Sequence, residues 1–145
     1  MINLDTGKQE FVLKFDGEHI EKIYFNPTDP ALMVRIRNFC KESGKNMKML
    51  DDIEFDEKGR PVSESFADVF GEMLDIIYSG LDKAFAGDIS KTVFKYCSPF
   101  AKVGDGEFFF AAFVEAITPE IKKRIADSET KNDENIEKHI GKYRK

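Results

Sequence analysis

The sequence has few of the side chains that most often carry reaction chemistry. Its 145 residues include two histidines, two cysteines and no tryptophan. Nucleophilic catalysis needs a nucleophile beside a base, and the histidines are His19, beside a predicted turn, and His139, near the C-terminus. The 27 acidic residues are scattered, and no pair of carboxylates stands out. We therefore expect a protein that is not an enzyme and has no catalytic residues.

Two cysteines are also too few for a disulfide scaffold. Cys40 and Cys97 fall on the apolar faces of predicted helices, where cysteine behaves as a small hydrophobic residue. We expect buried free thiols in a reducing compartment. Residues 1–5 are short and acidic, without the apolar segment of a signal peptide. We therefore expect a cytoplasmic protein.

Long apolar runs and a general basic excess are absent as well. The longest run, residues 108–114, is far shorter than the roughly 20 residues that cross a bilayer. Residues 1–121 contain 14 Lys and Arg against 22 Asp and Glu, a net −8, and residues 122–145 contain 8 against 5, a net +3. Nucleic-acid binding needs clustered Lys and Arg. We expect neither a membrane nor a nucleic acid as partner.

The apolar run itself, Phe108 to Val114, is the feature around which the chain is organised. Seven consecutive apolar residues place bulky groups on every face of a helix, so other elements must enclose it. Fourteen phenylalanines predict a core rich in this residue. A chain of this length fits one domain, residues 1–145.

A β-hairpin is predicted over residues 10–25. Phe11, Leu13 and Phe15 alternate with other residues, and Asp16-Gly17 follows at once, which is typical of a tight turn. A strict two-residue turn would leave Ile23 and Phe25 on the opposite face from the first strand's apolar residues. Either a bulge or a longer loop near Glu18 corrects this, and the sequence leaves the two open.

Helices are predicted for most of the remaining chain. Asp29 and Gly44 mark the ends of the first helix, although Met47, Met49 and Leu50 leave an extension beyond Gly44 open. Gly87 marks the end of the long amphipathic second helix, and Asp88 the start of the third. Asp105 is expected to cap the central helix, which breaks or bends near Ile117, before Thr118-Pro119. The ranges are 30–43, 63–86, 88–97 and 106–126, followed by a weakly helical or flexible tail, 127–145. The predicted class is α+β, mostly α: an N-terminal β-hairpin followed by a bundle of four to five helices.

Two segments with a superficial likeness to ligand-binding motifs are better explained without a ligand. The acidic run 51–57 lacks the glycine and the final glutamate of a calcium loop, so a solvated loop is expected. Gly104-Asp105-Gly106-Glu107 lacks the strand, the third glycine and the Lys-Ser/Thr pair of a phosphate loop, and carries two acids. We expect no metal and no cofactor.

Partner-binding surfaces are the remaining candidates for function. The polar face of the second helix is acidic, and a short apolar stripe follows in the tail, where a helix is marginal unless a partner covers it. An exposed hairpin edge could also add a strand from a partner. The sequence does not fix the oligomeric state and leaves a homo-oligomer open. The candidate partner-binding residues are Asp68, Glu72, Asp75, Asp82, Ile136, Ile140 and Tyr143.

The order of these elements resembles the tail assembly chaperone-like proteins of siphophages and prophages in Gram-positive bacteria. The resemblance lies in Phe11-Val12-Leu13-Lys14-Phe15, in Asn26-Pro27-Thr28-Asp29-Pro30 and in the acidic second helix. Its most specific part is Gly87-Asp88 through Phe94, followed by Phe109-x-x-x-Phe113-Val114-Glu115-Ala116-Ile117-Thr118-Pro119-Glu120-Ile121. It covers residues 10 to 125.

This resemblance implies a role without catalysis. A protein of this family binds the apolar helices of the tape-measure protein and helps the tail tube subunits to assemble. The expected partners are therefore the tape-measure and tail tube proteins. A small structural or regulatory protein-interaction module of a phage or bacterial assembly is the alternative.

Overall fold

The computed structural model describes residues 1–51, 56–60 and 66–143, and for residues 48–51, 66–67, 132–133 and 135–143 it describes the backbone alone. The fold is α+β and mostly helical, with an N-terminal antiparallel hairpin followed by helices, as predicted. The predicted start of the second helix, at Ser63, lies outside the described residues, as does most of the acidic run 51–57. In the described ranges the elements are β1 (Gln9–Phe15), β2 (His19–Phe25), α1 (Ala31–Asp51), α2 (Phe66–Phe85), α3 (Ser90–Val93), β3 (Lys102–Val103), β4 (Glu107–Phe108) and α4 (Phe109–Tyr143).

The N-terminal hairpin takes the longer loop rather than a bulge. Phe15 pairs with His19, so three residues connect the strands. Asp16 and Gly17 both have a positive φ, of 54° and 68°, and the Glu18 N–H donates to the Phe15 carbonyl at 3.0 Å. The extra residue shifts the register so that Phe11 pairs with Ile23, and Phe11, Ile23 and Phe25 all face the core.

Helix α1 begins as predicted and ends later. The Asp29 carboxylate accepts from the Ala31 N–H at 3.0 Å, which confirms the N-terminal cap. The predicted end at Ser43-Gly44 is wrong, because the helix continues through Gly44 to Asp51. Ser43 is buried and Met47 packs against the core. The packing of Met47 against the core offsets the roughly 1 kcal/mol that a helical glycine costs.

The end of α2 and the short α3 both differ from the prediction in detail. Ala86, rather than Gly87, has the positive φ of 51° that ends the helix, and the Gly87 N–H donates to the Asp82 carbonyl at 3.1 Å. Helix α3 is one turn, Ser90–Val93, and does not reach Cys97. The residues after it turn toward the hairpin, where Lys95 and Tyr96 bond a carboxylate of β2.

A second, very short hairpin precedes α4 and was not predicted. Strands β3 and β4 pair through Lys102 with Phe108, and Gly104 and Gly106 adopt positive φ values of 56° and 96° in the turn between them. The predicted helix start at 106, with Asp105 as its cap, is therefore wrong, and Glu107 lies in a strand. Two glycines that permit left-handed backbone conformations favour a turn over a helix start.

Helix α4 is continuous through Pro119, so the predicted break near Ile117 does not occur. Proline removes one helical N–H. The preceding residue, Thr118, donates its hydroxyl to the Val114 carbonyl at 2.7 Å. Ile117 and Ile121 are buried on either side of the proline, and this burial holds the helix on the core across the missing hydrogen bond. The backbone stays helical through Tyr143, within the predicted tail 127–145.

The core is built from phenylalanine rings, as the composition predicts. The ring of Phe25 stacks on Phe11 at 4.1 Å and meets the edge of Phe85 at 4.8 Å, and Phe85 lies 5.8 Å from Phe113. In the run 108–114, Phe110 and Phe113 are buried and the other five residues are half-buried, so the run is covered only in part, and its first residue, Phe108, lies in β4 rather than in the helix. Among the described residues no helix combines the length and apolar character required to cross a bilayer.

Gly71 and Gly80 of α2 give a matched test of helix packing. A methyl group at Gly80 would lie 3.1 Å from Cδ2 of Phe39 on α1, whereas one at Gly71 would meet nothing within 4 Å. We expect Gly71→Ala to raise the free energy of unfolding by about 1 kcal/mol, the difference in helix propensity. Gly80→Ala should raise the free energy of unfolding by less than half as much, because the Phe39 ring must shift. Urea unfolding of both variants measures the difference, and equal gains would contradict the packing.

Candidate interaction surface

Helix α2 presents the acidic face that the sequence predicts. Asp68, Glu72 and Asp75 are all exposed. Their spacing of four and then three residues places them along one face of the helix. Because α2 packs its opposite side into the core through Met73, Ile77 and Leu81, this face is open to a partner.

Asp82, the fourth predicted acid on α2, bonds within the fold. Its Oδ1 accepts from the backbone N–H groups of Ile89 at 2.9 Å and Ser90 at 2.7 Å, and its Oδ2 accepts from the Ser90 hydroxyl at 2.9 Å. Asp82 therefore caps α3 from the preceding helix. The prediction that Asp88 does so is wrong, since sequence proximity does not reveal a cap supplied across a turn.

Two open depressions flank α2 beside this acidic face. One, of about 610 Å³, lies between α1 and α2, and the other, of about 810 Å³, lies between α2 and α3. Both are lined by Asp75, Ser79 and Lys83, which therefore form the boundary between them. Ile76 lines the first depression and is 51% exposed. We call Asp75, Ile76, Ser79 and Lys83 the α2 ridge.

Ile76 was not predicted as a surface residue, although the sequence holds a signal for it. Ile76 and Ile77 are adjacent, and residues next to each other on a helix face different directions. Ile77 belongs to the apolar stripe and is fully buried. An isoleucine immediately beside such a stripe residue is expected to lie outside the core.

The predicted residues of the tail lie on the C-terminal part of α4. Ile136, Ile140 and Tyr143 belong to its helical backbone, while their side chains lie outside what the structure describes. Among the described side chains of α4, Ile125 is the last that packs against the core. The structure therefore does not bring the tail residues together with the acids of α2 through any described contact.

The hairpin exposes apolar side chains on its outer face. Val12, Ile20 and Tyr24 are 59%, 62% and 48% exposed. Each pairs across the hairpin with a charged residue: Lys22, Lys14 and Glu10 respectively. The charges break up the apolar area, so this face is a weaker interaction candidate than the α2 ridge.

Glu21 holds the hairpin against the segment after α3. Its Oε1 accepts from Lys95 Nζ and from the Tyr96 hydroxyl, both at 2.7 Å. The hydrogen bond from Lys95, followed by that from Tyr96, lowers the pKa of Glu21, and the same bonds raise the pKa of Lys95 and of Tyr96. The His19 ring stacks on Tyr96 at 4.7 Å.

Cys40, Cys97 and Glu107 are reactive side chains that lie outside these surfaces. Both cysteines are half-buried rather than buried, and desolvation raises the pKa of each thiol, which disfavours the thiolate. A hydrogen bond with Glu115 raises the pKa of Glu107, and Asp105 adds to the effect. Among the described residues, no group of three or more His, Cys, Asp or Glu is arranged to hold a metal ion.

Comparison with known proteins adds no relative: no protein-family model, no curated protein and no solved structure matches the chain. What the protein does has to be inferred from its own surface and from the resemblance of its sequence pattern.

Substitution of Asp82 tests its structural role. Asp82→Ala removes the acceptor for two backbone N–H groups at the start of α3, and we expect the free energy of unfolding to fall by about 1–2 kcal/mol. Asp75→Ala, an exposed acid on the same helix, should change it by less than about 0.5 kcal/mol. Denaturant unfolding of both variants checks this, and equal effects would contradict the capping role.

The lowered pKa of Glu21 predicts a pH-dependent contribution to stability. A carboxyl whose pKa is lower in the folded state stabilises the fold above its unfolded pKa and loses this effect as the pH falls through its folded pKa. We expect Glu21→Gln to be less stable than the native chain at pH 7, with a difference that shrinks toward pH 3. Glu18→Gln, whose side chain is 80% exposed, is the matched control. A Glu21→Gln difference that is the same at both pH values would contradict the assignment.

Proposed function

We propose that the protein is a non-enzymatic tail assembly chaperone-like protein of a phage or prophage. It binds apolar helices of the tape-measure protein in the host cytoplasm and helps the tail tube subunits to assemble. The resemblance of the sequence supports this role. The α2 ridge supports a protein as the binding partner and provides a surface for it.

The observation that carries the proposal is the exposed isoleucine at the centre of a polar surface. Ile76 is half exposed beside the depression between α1 and α2, with Asp75 and Lys83 nearby on the ridge. Protein interfaces commonly combine an apolar centre with a polar rim. An isoleucine held on a rigid helix costs little conformational entropy when a partner covers it.

The depressions on either side of the ridge fit an elongated partner. Phe39 and Gly80 both line the first depression, and the Phe39 ring lies 3.1 Å from the position that a Cβ atom at Gly80 would occupy. An amphipathic helix binds such a groove through residues spaced three and four apart. We infer that the partner helix lies along α2, with an apolar side chain against Ile76.

The acids of α2 select the charge of the partner. Asp68, Glu72 and Asp75 add negative charge to a body that is acidic as a whole. A partner helix with Lys or Arg beside its apolar stripe would associate faster and with a rate that falls as salt is added. An acidic partner would be repelled.

Binding of tape-measure fragments to paired variants tests the proposal. Helical fragments that together cover a siphophage tape-measure protein, taken from the same phage or prophage as this chain, are titrated into the native protein by calorimetry. We expect one fragment to bind and Ile76→Ser to weaken it about tenfold, because the apolar centre is lost. Ile20→Ser, at an isoleucine of similar exposure on the hairpin, should leave the affinity within about twofold.

Three outcomes would contradict the proposal in different ways. If no fragment binds at tens of micromolar, the tape-measure protein is not the partner. If Ile20→Ser weakens binding and Ile76→Ser does not, the hairpin rather than the α2 ridge is the interface. If the dissociation constant does not change between low and high salt, the acids do not contribute.

A further inference from the structure

The outer face of the N-terminal hairpin carries a regular alternation of charged and apolar side chains. Six exposed residues form it, in three cross-strand pairs: Glu10 with Tyr24, Val12 with Lys22, and Lys14 with Ile20. Each pair joins one charged residue to one apolar residue, and the apolar member changes strand from one pair to the next. The apolar side chains therefore form a diagonal stripe with charges on both sides of it. We call these six residues the hairpin face.

The charges of the hairpin face are of both signs and remain accessible. Lys22 Nζ lies 3.3 Å from Glu10 Oε1, and the two side chains are 55% and 44% exposed. A carboxylate accepts hydrogen bonds through two oxygens, so Glu10 can bond a second cation. Lys14, at the other end of the face, forms no ion pair among the described residues. The face thus offers an acid at one end and a cation at the other.

This alternation determines which partner surface fits the hairpin face. A wholly apolar surface would bury the charges without partners, which costs free energy. A wholly charged surface would leave the apolar stripe without an apolar contact. A surface with the same alternation satisfies both kinds of side chain, and a second copy of the hairpin face is such a surface.

Two-fold symmetry allows two aligned arrangements of one hairpin face on another. Sheets that pack face to face in this way keep their strands within about 30° of each other, so the two-fold axis runs either along the strands or across them. An axis along the strands places β1 of one copy over β2 of the other. Val12 then lies over Lys22 of the copy. Ile20 likewise lies over Lys14 of the copy. Every apolar side chain meets a charge, so this arrangement is unfavourable.

An axis across the strands matches the pattern. It places β1 over β1 of the copy in the opposite direction, with the axis at the level of Val12. Val12 then meets Val12 of the copy, and Ile20 meets Tyr24 of the copy. Glu10 of each copy lies over Lys14 of the other, so two attractive pairs flank the apolar contacts.

We propose that two copies of this chain associate through their hairpin faces, with the two-fold axis across the strands at Val12. A two-fold contact of this kind is closed and gives a dimer rather than a filament. The contact uses only the hairpin, so the proposal does not rest on the proposed function of the α2 ridge.

Two features keep this contact weak. Lys22 lies beside Lys22 of the copy at the axis, although its ion pair with Glu10 offsets part of the repulsion. Six side chains per copy also cover much less than the roughly 800 Å² per partner that a standard interface buries. We therefore expect a dissociation constant on the order of 100 µM.

Sedimentation velocity of the full chain, from about 5 to 500 µM, tests the dimer, and two charge reversals test its geometry. Glu10→Lys places lysine opposite lysine in both pairs, and Lys14→Glu places acid opposite acid. We expect each variant alone to dimerise about five- to tenfold more weakly than the native chain. Glu129→Lys changes the net charge as Glu10→Lys does, at an exposed position of α4. This control should keep the dissociation constant within about twofold, because distant surface charges are screened.

An equimolar mixture of Glu10→Lys and Lys14→Glu separates contacts between chains from those within one chain. In a mixed dimer both pairs again join opposite charges, so association should return to near the native strength. The ion pair of Glu10 with Lys22 is lost in Glu10→Lys whether or not the other variant is present, so recovery arises only between chains. No recovery, or a native chain that stays monomeric at about 500 µM, would overturn the proposal.

A further variant tests the apolar stripe without weakening the strands. Val12→Thr with Ile20→Thr keeps β-branched residues that favour a strand and removes most of the apolar contact. We expect dimerisation at about 500 µM to be lost, while urea unfolding at about 5 µM shows that the monomer remains folded. Unchanged dimerisation would place the contact elsewhere and overturn the proposal.

Other modes of self-association give different results. Stronger association of Glu10→Lys than of the native chain would mean that the hairpin face binds the acidic face of α2 in a second copy. Species larger than a dimer would indicate the same head-to-tail contact, and either result would overturn the two-fold arrangement. Ile76→Ser should leave the dimer unchanged, so this proposal and the proposed function can fail separately.

Discussion

The contact on which the fold depends is the series of rings that joins Phe25, Phe85 and Phe113. Phe25 belongs to β2, Phe85 to the last turn of α2 and Phe113 to α4. A two-stranded hairpin is not stable by itself. Edge-to-face contact at 4.8 Å between Phe25 and Phe85 attaches the hairpin to the helices, and such pairs contribute about 0.5–1.5 kcal/mol beyond the burial of their area.

Polar contacts then fix the connections between the elements that the rings bring together. Arg35 donates to the Ala84 carbonyl at 2.8 Å and bonds Asp29, so the start of α1 and the end of α2 are tied at the same corner of the molecule. At the next corner Asp82 caps α3 and Glu21 bonds Lys95 and Tyr96. Buried apolar area supplies the stability, and these bonds set the directions of the connections.

The sequence predicted those parts of the fold that depend on periodicity. The hairpin follows from two-residue alternation, and the long α2 from steps of three and four residues. The ends of elements were predicted less well, because tertiary contacts decide them. Packing of Met47 against the core keeps α1 helical beyond Gly44, and burial of Ile121 keeps α4 helical through Pro119. The short pairing of β3 with β4 spans too few residues to show a pattern.

The candidate surface was predicted only in part, for the same reason. Asp68, Glu72 and Asp75 follow from helix spacing alone. That Asp82 bonds the start of α3 could not be read from the sequence, because an acid on the polar face looks the same whether it meets solvent or a neighbouring backbone. Ile76 could have been found from its position beside the apolar stripe.

The uninterrupted course of α4 has a mechanical consequence. One half of the helix carries Phe110, Phe113 and Ile117 into the core, and the other half extends outward with no loop between them. A continuous helix is stiff over this length. A molecule that binds its C-terminal half therefore also sets the orientation of the rest of the domain. A larger assembly that binds this half of α4 would thereby orient the acidic face of α2.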